Sequence, residues 1–122
     1  MHNFRELRIW KESMEIAKIV HSFTLQFPKD ERFAITQQIN KCSVSIPSNI
    51  AEGAGRVSKK DFKHFISIAI GSCFELETQL ILSGEFNYLD KEKLTELLIK
   101  ITTLQKMMNK FRDTLDKETP TT

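Results

Sequence analysis

Four stretches of this chain repeat apolar residues at steps of three and four, and only short breakers separate them. That period is the signature of amphipathic α-helices, and strands alternate at two. The first stretch runs from Arg5 to about Gln26 through Leu7, Trp10, Met14, Ala17, Val20 and Phe23. Phe27-Pro28 ends it, because a residue before proline is disfavoured in helical geometry. The second begins near Asp30 or Glu31 and carries Ile35, Ile39, Cys42, Ile46 and Ile50. Acidic residues there suit the positive end of the helix dipole. Pro47 lies inside the pattern and predicts a kink, since proline removes one backbone hydrogen bond. Glu52-Gly53-Ala54-Gly55 predicts a left-handed glycine cap. The third stretch starts at Ser58, where Ser58-Lys59-Lys60-Asp61 reads as a capping box. It continues through Phe62, Phe65, Ile66, Ala69, Cys73, Leu76 and Leu80 towards Ser83-Gly84. The fourth follows Asp90, a good N-cap, and repeats Leu94, Leu97, Leu98, Ile101, Leu104, Met108, Phe111 and Leu115.

Helices of 20–25 residues are each ~30–38 Å long. Similar lengths and short connections predict an all-α, antiparallel up-down-up-down four-helix bundle with its second helix kinked at Pro47. A single domain over 1–122 is expected, with a core at about 4–116 and a frayed tail at 117–122. Hydrophobic residues at 40% and charged residues at 28% are ordinary for a soluble globular chain. No uninterrupted apolar run approaches the ~18 residues of a membrane span, so no membrane association is expected. The N-terminus lacks a signal-peptide core, and Cys42 and Cys73 are too few for a disulfide framework. Two buried, reduced thiols and a cytoplasmic location are expected.

Catalytic and metal signatures are missing. The residues three before His21 and His64 are Lys18 and Asp61, so neither makes the Glu-x-x-His pair of a di-iron bundle. There is no P-loop, His-Glu-x-x-His or Cys-x-x-Cys. No enzyme activity, cofactor or metal is expected, and His21 and His64 read as surface or boundary residues.

Polar residues border two of the apolar stripes. Gln38, Ser45, Asn49 and Glu52 flank the second helix's stripe, and Ser72, Glu75 and Gln79 flank the third's. Such bands can meet across a helix pair as a hydrogen-bond network that also repairs the carbonyl freed by Pro47. The alternative to this structural role is a binding cleft, with Asn49, Glu52 and Arg56 as contacts. Glu52 and Arg56 stand four apart in the order that favours an ion pair.

Three basic groups stand out on a chain of net charge +2. Arg56, Lys59, Lys60 and Lys63, followed by His64, span the second connection and the start of the third helix. A helix N-terminus there could help hold phosphate, which makes these four the candidate nucleic-acid contacts. Arg5, Arg8 and Lys11 form a second group, and Lys100, Lys106, Lys110 and Arg112 a third. Interleaved acids leave the alternative of a solvated surface open.

Apolar residues also extend past the core-facing arcs. Ile70, Phe74 and Ile81 on the third helix, with Gly71 beside them, form a second stripe. Ile9, Ile16, Ile19 and Phe23 widen the stripe of the first. A wide, obliquely packed core would absorb them; otherwise they expose apolar surface for self-association. The candidate interface is Ile16, Phe23, Ile70, Phe74 and Ile81.

At Leu7-x-x-Trp10, Phe27-Pro28-x-x-Glu31 and above all Ser45-Ile46-Pro47-Ser48-Asn49-Ile50-Ala51-Glu52-Gly53-x-Gly55-Arg56, the chain resembles a known family. Phe65, Ala69-x-Gly71-Ser72 and Glu75-Leu76 extend the match across roughly Phe4 to Leu115. The family is the small four-helix-bundle proteins encoded by intervening sequences in bacterial 23S ribosomal RNA genes. Accessory proteins of diversity-generating retroelements are similar in fold. The resemblance implies a homo-oligomer, a ring-like pentamer, with RNA or DNA as a partner and a ribosomal association. The retroelement relatives are strongly basic, and this chain is not. The expected function is therefore a non-enzymatic, homo-oligomeric bundle binding RNA or other nucleic acid through basic patches. The alternative is a scaffold for a protein partner without nucleic-acid binding.

Overall fold

Leu7 decides where the first long helix begins. Its backbone is extended, so the chain makes a short 3-10 turn at Phe4–Glu6 and starts α1 only at Arg8. The computed structural model describes residues 2–117, and four long helices dominate it. They are α1 (Arg8–Thr24), α2 (Ile35–Ala54), α3 (Lys59–Glu85) and α4 (Lys91–Lys117). No strand occurs among the described residues. The tail expected at 118–122 lies outside them, whereas Lys117, assigned to that tail from sequence, still belongs to α4.

Both ends of α2 also differ from the sequence expectation. The acidic pair Asp30 and Glu31 belongs to a separate 3-10 turn, Lys29–Glu31, and α2 starts four residues later. Ala34, at φ −121° and ψ −112°, breaks the helical path between them. The α2 C-terminus does not use a left-handed glycine. Gly55 is right-handed at φ −82° and ψ −6°. Gly53 serves contact instead: a Cβ there would lie 2.8 Å from both Phe62 Cδ1 and Phe65 Cβ. The missing side chain lets α2 approach the start of α3 closely.

The left-handed cap sits at the other end of α3, on Asn87 with φ 62°. The Tyr88 amide donates to the Ser83 carbonyl and the Asn87 amide to the Gly84 carbonyl. This pairing is the Schellman motif, for which asparagine is the usual alternative to glycine. Ser58 accepts from the Asp61 amide at 3.0 Å, as the capping pattern predicts. α2 continues through Pro47 without ending.

Each helix packs on two others: α1 on α2 and α4, and α3 on α2 and α4. Along the α2–α3 seam Cys42 meets Glu75, Ser45 meets Ser72 and Gly53 faces Phe62. Along α3–α4 Lys63 meets Asp116, Ser67 meets Arg112 and Gly84 faces Leu94. In both seams rising numbers on one helix meet falling numbers on the next. The centre is filled by Ile39, Ile46, Ile50, Ile66, Leu76, Leu80, Ile101, Leu104 and Met108, the stripes read from the three-four period. Ile9 and Ile16 join this core as well. Two of the four residues that widen the α1 stripe are thus consumed inside the chain, and Ile19 and Phe23 are half-buried against the core.

α3 is the exception to this economy. By length and composition it is apolar enough to cross a membrane, with a best 18-residue stretch of mean hydropathy 1.4. Glu75 and Glu77 interrupt it, so the sequence shows no uninterrupted apolar run of that length. Only 33% of that stretch is buried, so the helix's own core does not account for its apolarity.

Candidate functional site

The helix ends gather charge unevenly. His2 holds the chain start to the end of α2, its amide donating to the Ala54 carbonyl at 3.0 Å. Its ring stands edge-on to Phe62 of α3 and Phe111 of α4. Lys63 pairs with Asp116, and Arg8 and Lys110 border one α1–α4 groove. Segments 2–12, 52–64 and 107–117 thus share one end of the bundle. They hold ten Lys and Arg against six Asp and Glu, a net of +4. The other described residues hold eight against nine. From Phe65 to Asp90 there is no Lys, Arg or His at all, only Glu75, Glu77, Glu85 and Asp90. The modest overall +2 conceals a basic end.

The four candidate phosphate contacts lie at that end but are not equivalent. Arg56 donates to Glu52 at 3.0 Å and lies 4.8 Å from the centre of the Phe65 ring. Lys63 is engaged by Asp116. Lys60 is exposed, and Lys59 is half-buried on the first turn of α3. Arg5 and Arg8 of the second group and Lys110 and Arg112 of the third reach the same end. Lys100 and Lys106 lie farther along α4, away from it. His21 and His64 are on the surface, as expected.

The two polar bands do meet. Gln38, Ser45, Ser72, Glu75 and Gln79 line a recess of about 390 Å³ between α2 and α3, joined by Lys41 and Cys42. The Ser45 and Ser72 hydroxyls are 2.9 Å apart. Asn49 Nδ2 donates to the Ser45 carbonyl at 2.8 Å and to its hydroxyl at 3.0 Å. The Cys42 thiol reaches the Ser72 carbonyl and Glu75 Oε2, each at 3.6 Å. Glu52 stands apart, facing Arg56. The network does not serve the carbonyl freed by Pro47, which is that of Ser43: Asn49 donates to the Ser45 carbonyl and hydroxyl instead. Gln79 Oε1 is buried without a partner.

Both cysteines are free, buried thiols. Burial, then the nearby Glu75 carboxylate, pushes Cys42 up to about 11. Cys73 is pushed up to about 12, chiefly by burial. Thiols held so high stay protonated and are poor nucleophiles. Among the described residues no group of three His, Cys, Asp or Glu side chains could hold a metal ion.

The candidate interface residues divide. Ile16 is 2% exposed and Ile70 7%, both packed in the chain's own core, so neither is open to a partner. Phe23 is half-buried against that core. Phe74 at 50% and Ile81 at 41% remain on the surface. They share the flank of α3 that faces α4, because Ser67 and Glu77 on the same flank bond Arg112 and Gln105. Ile99 of α4 is exposed too.

Sequence reasoning missed a second apolar surface. A groove of about 550 Å³ runs between α1 and α2, walled by Trp10, Met14, Val44 and Pro47 over small Ala17 and Ser43. The small residues were the available signal, since they leave a hollow where larger side chains flank them.

A family model described as 23S rRNA-intervening sequence protein matches residues 5–110. Among solved structures, the chain is similar to a protein with unknown function from the S23 ribosomal protein family of Bacteroides thetaiotaomicron. The TM-score is 0.78 at 24% identity, covering 86% of this chain and 95% of that one. No curated protein matches.

Proposed function

This chain belongs to the 23S rRNA-intervening sequence protein family, and from that premise we propose that it is a non-enzymatic, homo-oligomeric bundle that holds structured RNA at its basic end. The observation that carries the reading is the segregation of charge: a net of +4 gathers where α1 and α3 begin and α2 and α4 end. Phosphate contacts depend on local rather than net charge, because the Debye length is only ~8 Å at physiological salt. One such end is a weak site. Several copies in one assembly multiply it through effective concentration, with no new contact required.

Assembly is supported by the exposed apolar residues of α3. Phe74 and Ile81 lie together on a helix whose core face is already filled. Covering such side chains contributes up to about 1.5–3 kcal/mol each.

The test is a titration of a structured RNA across a salt series, with Lys59→Glu/Lys60→Glu/Lys63→Glu as control. The reading predicts binding that weakens steeply as salt rises and is lost in the control. One observation favours the protein-scaffold alternative: Glu52 and Asp116 already engage Arg56 and Lys63. Absence of RNA binding even at low salt would overturn the nucleic-acid reading in favour of that one.

A further inference from the structure

We infer that the groove between α1 and α4 takes one unpaired base of a bound RNA, with Arg8 and Lys110 holding the phosphates beside it. The inference rests on the RNA reading proposed above and names the feature of the RNA that this end of the bundle selects.

The groove has a volume of about 290 Å³ and lies at the basic end. Leu7, Ile9, Met107 and Phe111 wall it. Ile9 belongs to the core, while Leu7, Met107 and Phe111 are only half-buried and leave apolar surface uncovered between them. Phe111 is held from behind. Its ring meets those of Phe62 and His2 at 62° and 72°, with centroids 5.4 and 6.3 Å away. An aromatic ring fixed by its neighbours offers a stacking surface that costs little to order.

Charge names the occupant. Arg8 and Lys110 are both exposed and both border the groove. Ion pairs hold Lys18, Arg56 and Lys63, and neither Arg8 nor Lys110 is in one. Glu12 and Asp113, one turn on from each along its helix, do not pair with them. Two available cations beside an apolar slot match a flat, weakly polar group carried between two phosphates. An unpaired nucleotide is such a group. Bases inside an RNA duplex are stacked and paired, and its major groove is too deep and narrow for side chains, so proteins reach the bases of loops and bulges instead.

The groove grips by stacking rather than by reading a base edge. Its one neutral polar side chain, Thr114, already donates to the Phe111 carbonyl at 2.6 Å. Any base is therefore accepted, with purines favoured for their larger face.

The test titrates two blunt RNA duplexes of one sequence, fully paired or with a single bulged adenosine. The wild type is expected to bind the bulged duplex about tenfold more tightly, the fold-change of one base stacked on an aromatic side chain. Thr114→Trp, at an exposed position, fills the groove and keeps every cation. It is expected to bind both duplexes as the wild type binds the paired one. Arg8→Gln/Lys110→Gln is expected to weaken the bulged duplex more than the paired one. Equal binding of the two duplexes by the wild type, or a preference that survives Thr114→Trp, overturns the base slot and leaves the RNA reading intact. A smaller assembled mass for Thr114→Trp by light scattering also overturns it, because the groove then belongs to a contact between copies. If neither duplex binds at low salt, the RNA reading falls and the slot with it.

Discussion

Cys42 and Cys73 read as buried, reduced thiols in the sequence, and in the structure both are free and buried. Burial raises both thiols, and the Glu75 carboxylate adds to the effect at Cys42. The folded chain therefore keeps protons that the unfolded chain, with ordinary thiols, releases above about pH 9. Their stabilising contribution is fully present below that pH and is lost as pH rises towards about 11 for Cys42 and about 12 for Cys73. Urea midpoints measured from pH 8 to 11 should fall, and the fall should be shallower in Cys42→Ala. Thiol reagents should leave the native chain unlabelled at neutral pH and label it once it is unfolded. That both thiols are buried was legible from their places on apolar stripes. Their proximity to Glu75 and Gln105 was not, because it depends on how α2, α3 and α4 are rotated against one another.

The seam between α2 and α3 is fixed by contacts of two kinds. Gly53 removes a side chain so that Phe62 and Phe65 can close, and Asn49, Ser45 and Ser72 tie the middle of the seam by hydrogen bonds. Helix periodicity put both polar bands beside apolar stripes, which is why their meeting could be anticipated. It did not tell that Glu52 would turn to Arg56, or that the network would not serve the carbonyl freed by Pro47. Asn49 loses two acceptors if truncated, one of them a backbone carbonyl. Asn49→Ala should cost about 1–2 kcal/mol in urea unfolding. An unchanged midpoint together with lost RNA binding would instead make this recess a binding cleft. The ends of the elements were harder to read. The left-handed residue is Asn87 rather than Gly55, because the α3–α4 turn needs a Schellman cap. The α2 end needs only a glycine without a side chain. Ser58 at the start of α3 was legible, since a capping hydroxyl acts locally.

At the scale of the whole molecule, two kinds of surface remain after the core is filled. One is the basic end, hidden in a net charge of +2 because acids elsewhere offset it. Only the packing of His2 against Phe62 and Phe111, and of Lys63 against Asp116, brings its three segments together. The other is apolar and includes the α1–α2 groove and the Phe74–Ile81 pair of α3. The four helices were readable because each stripe is a local pattern. The outer surfaces were only half readable: the wide stripe on α1 turned inward at Ile9 and Ile16, while Phe74 and Ile81 stayed outside. A stripe cannot reveal which of its residues a neighbouring helix will cover.

The central claim is that assembly turns weak basic ends into one RNA-binding surface. Comparing wild type with Phe74→Glu, at equal protomer concentration on the same structured RNA, tests it most directly. Avidity contributes ~10²–10⁴-fold, so the monomeric variant should bind at least ~100-fold more weakly although every lysine and arginine of the basic end is intact. Equal affinity for the assembled and the monomeric forms would contradict the account.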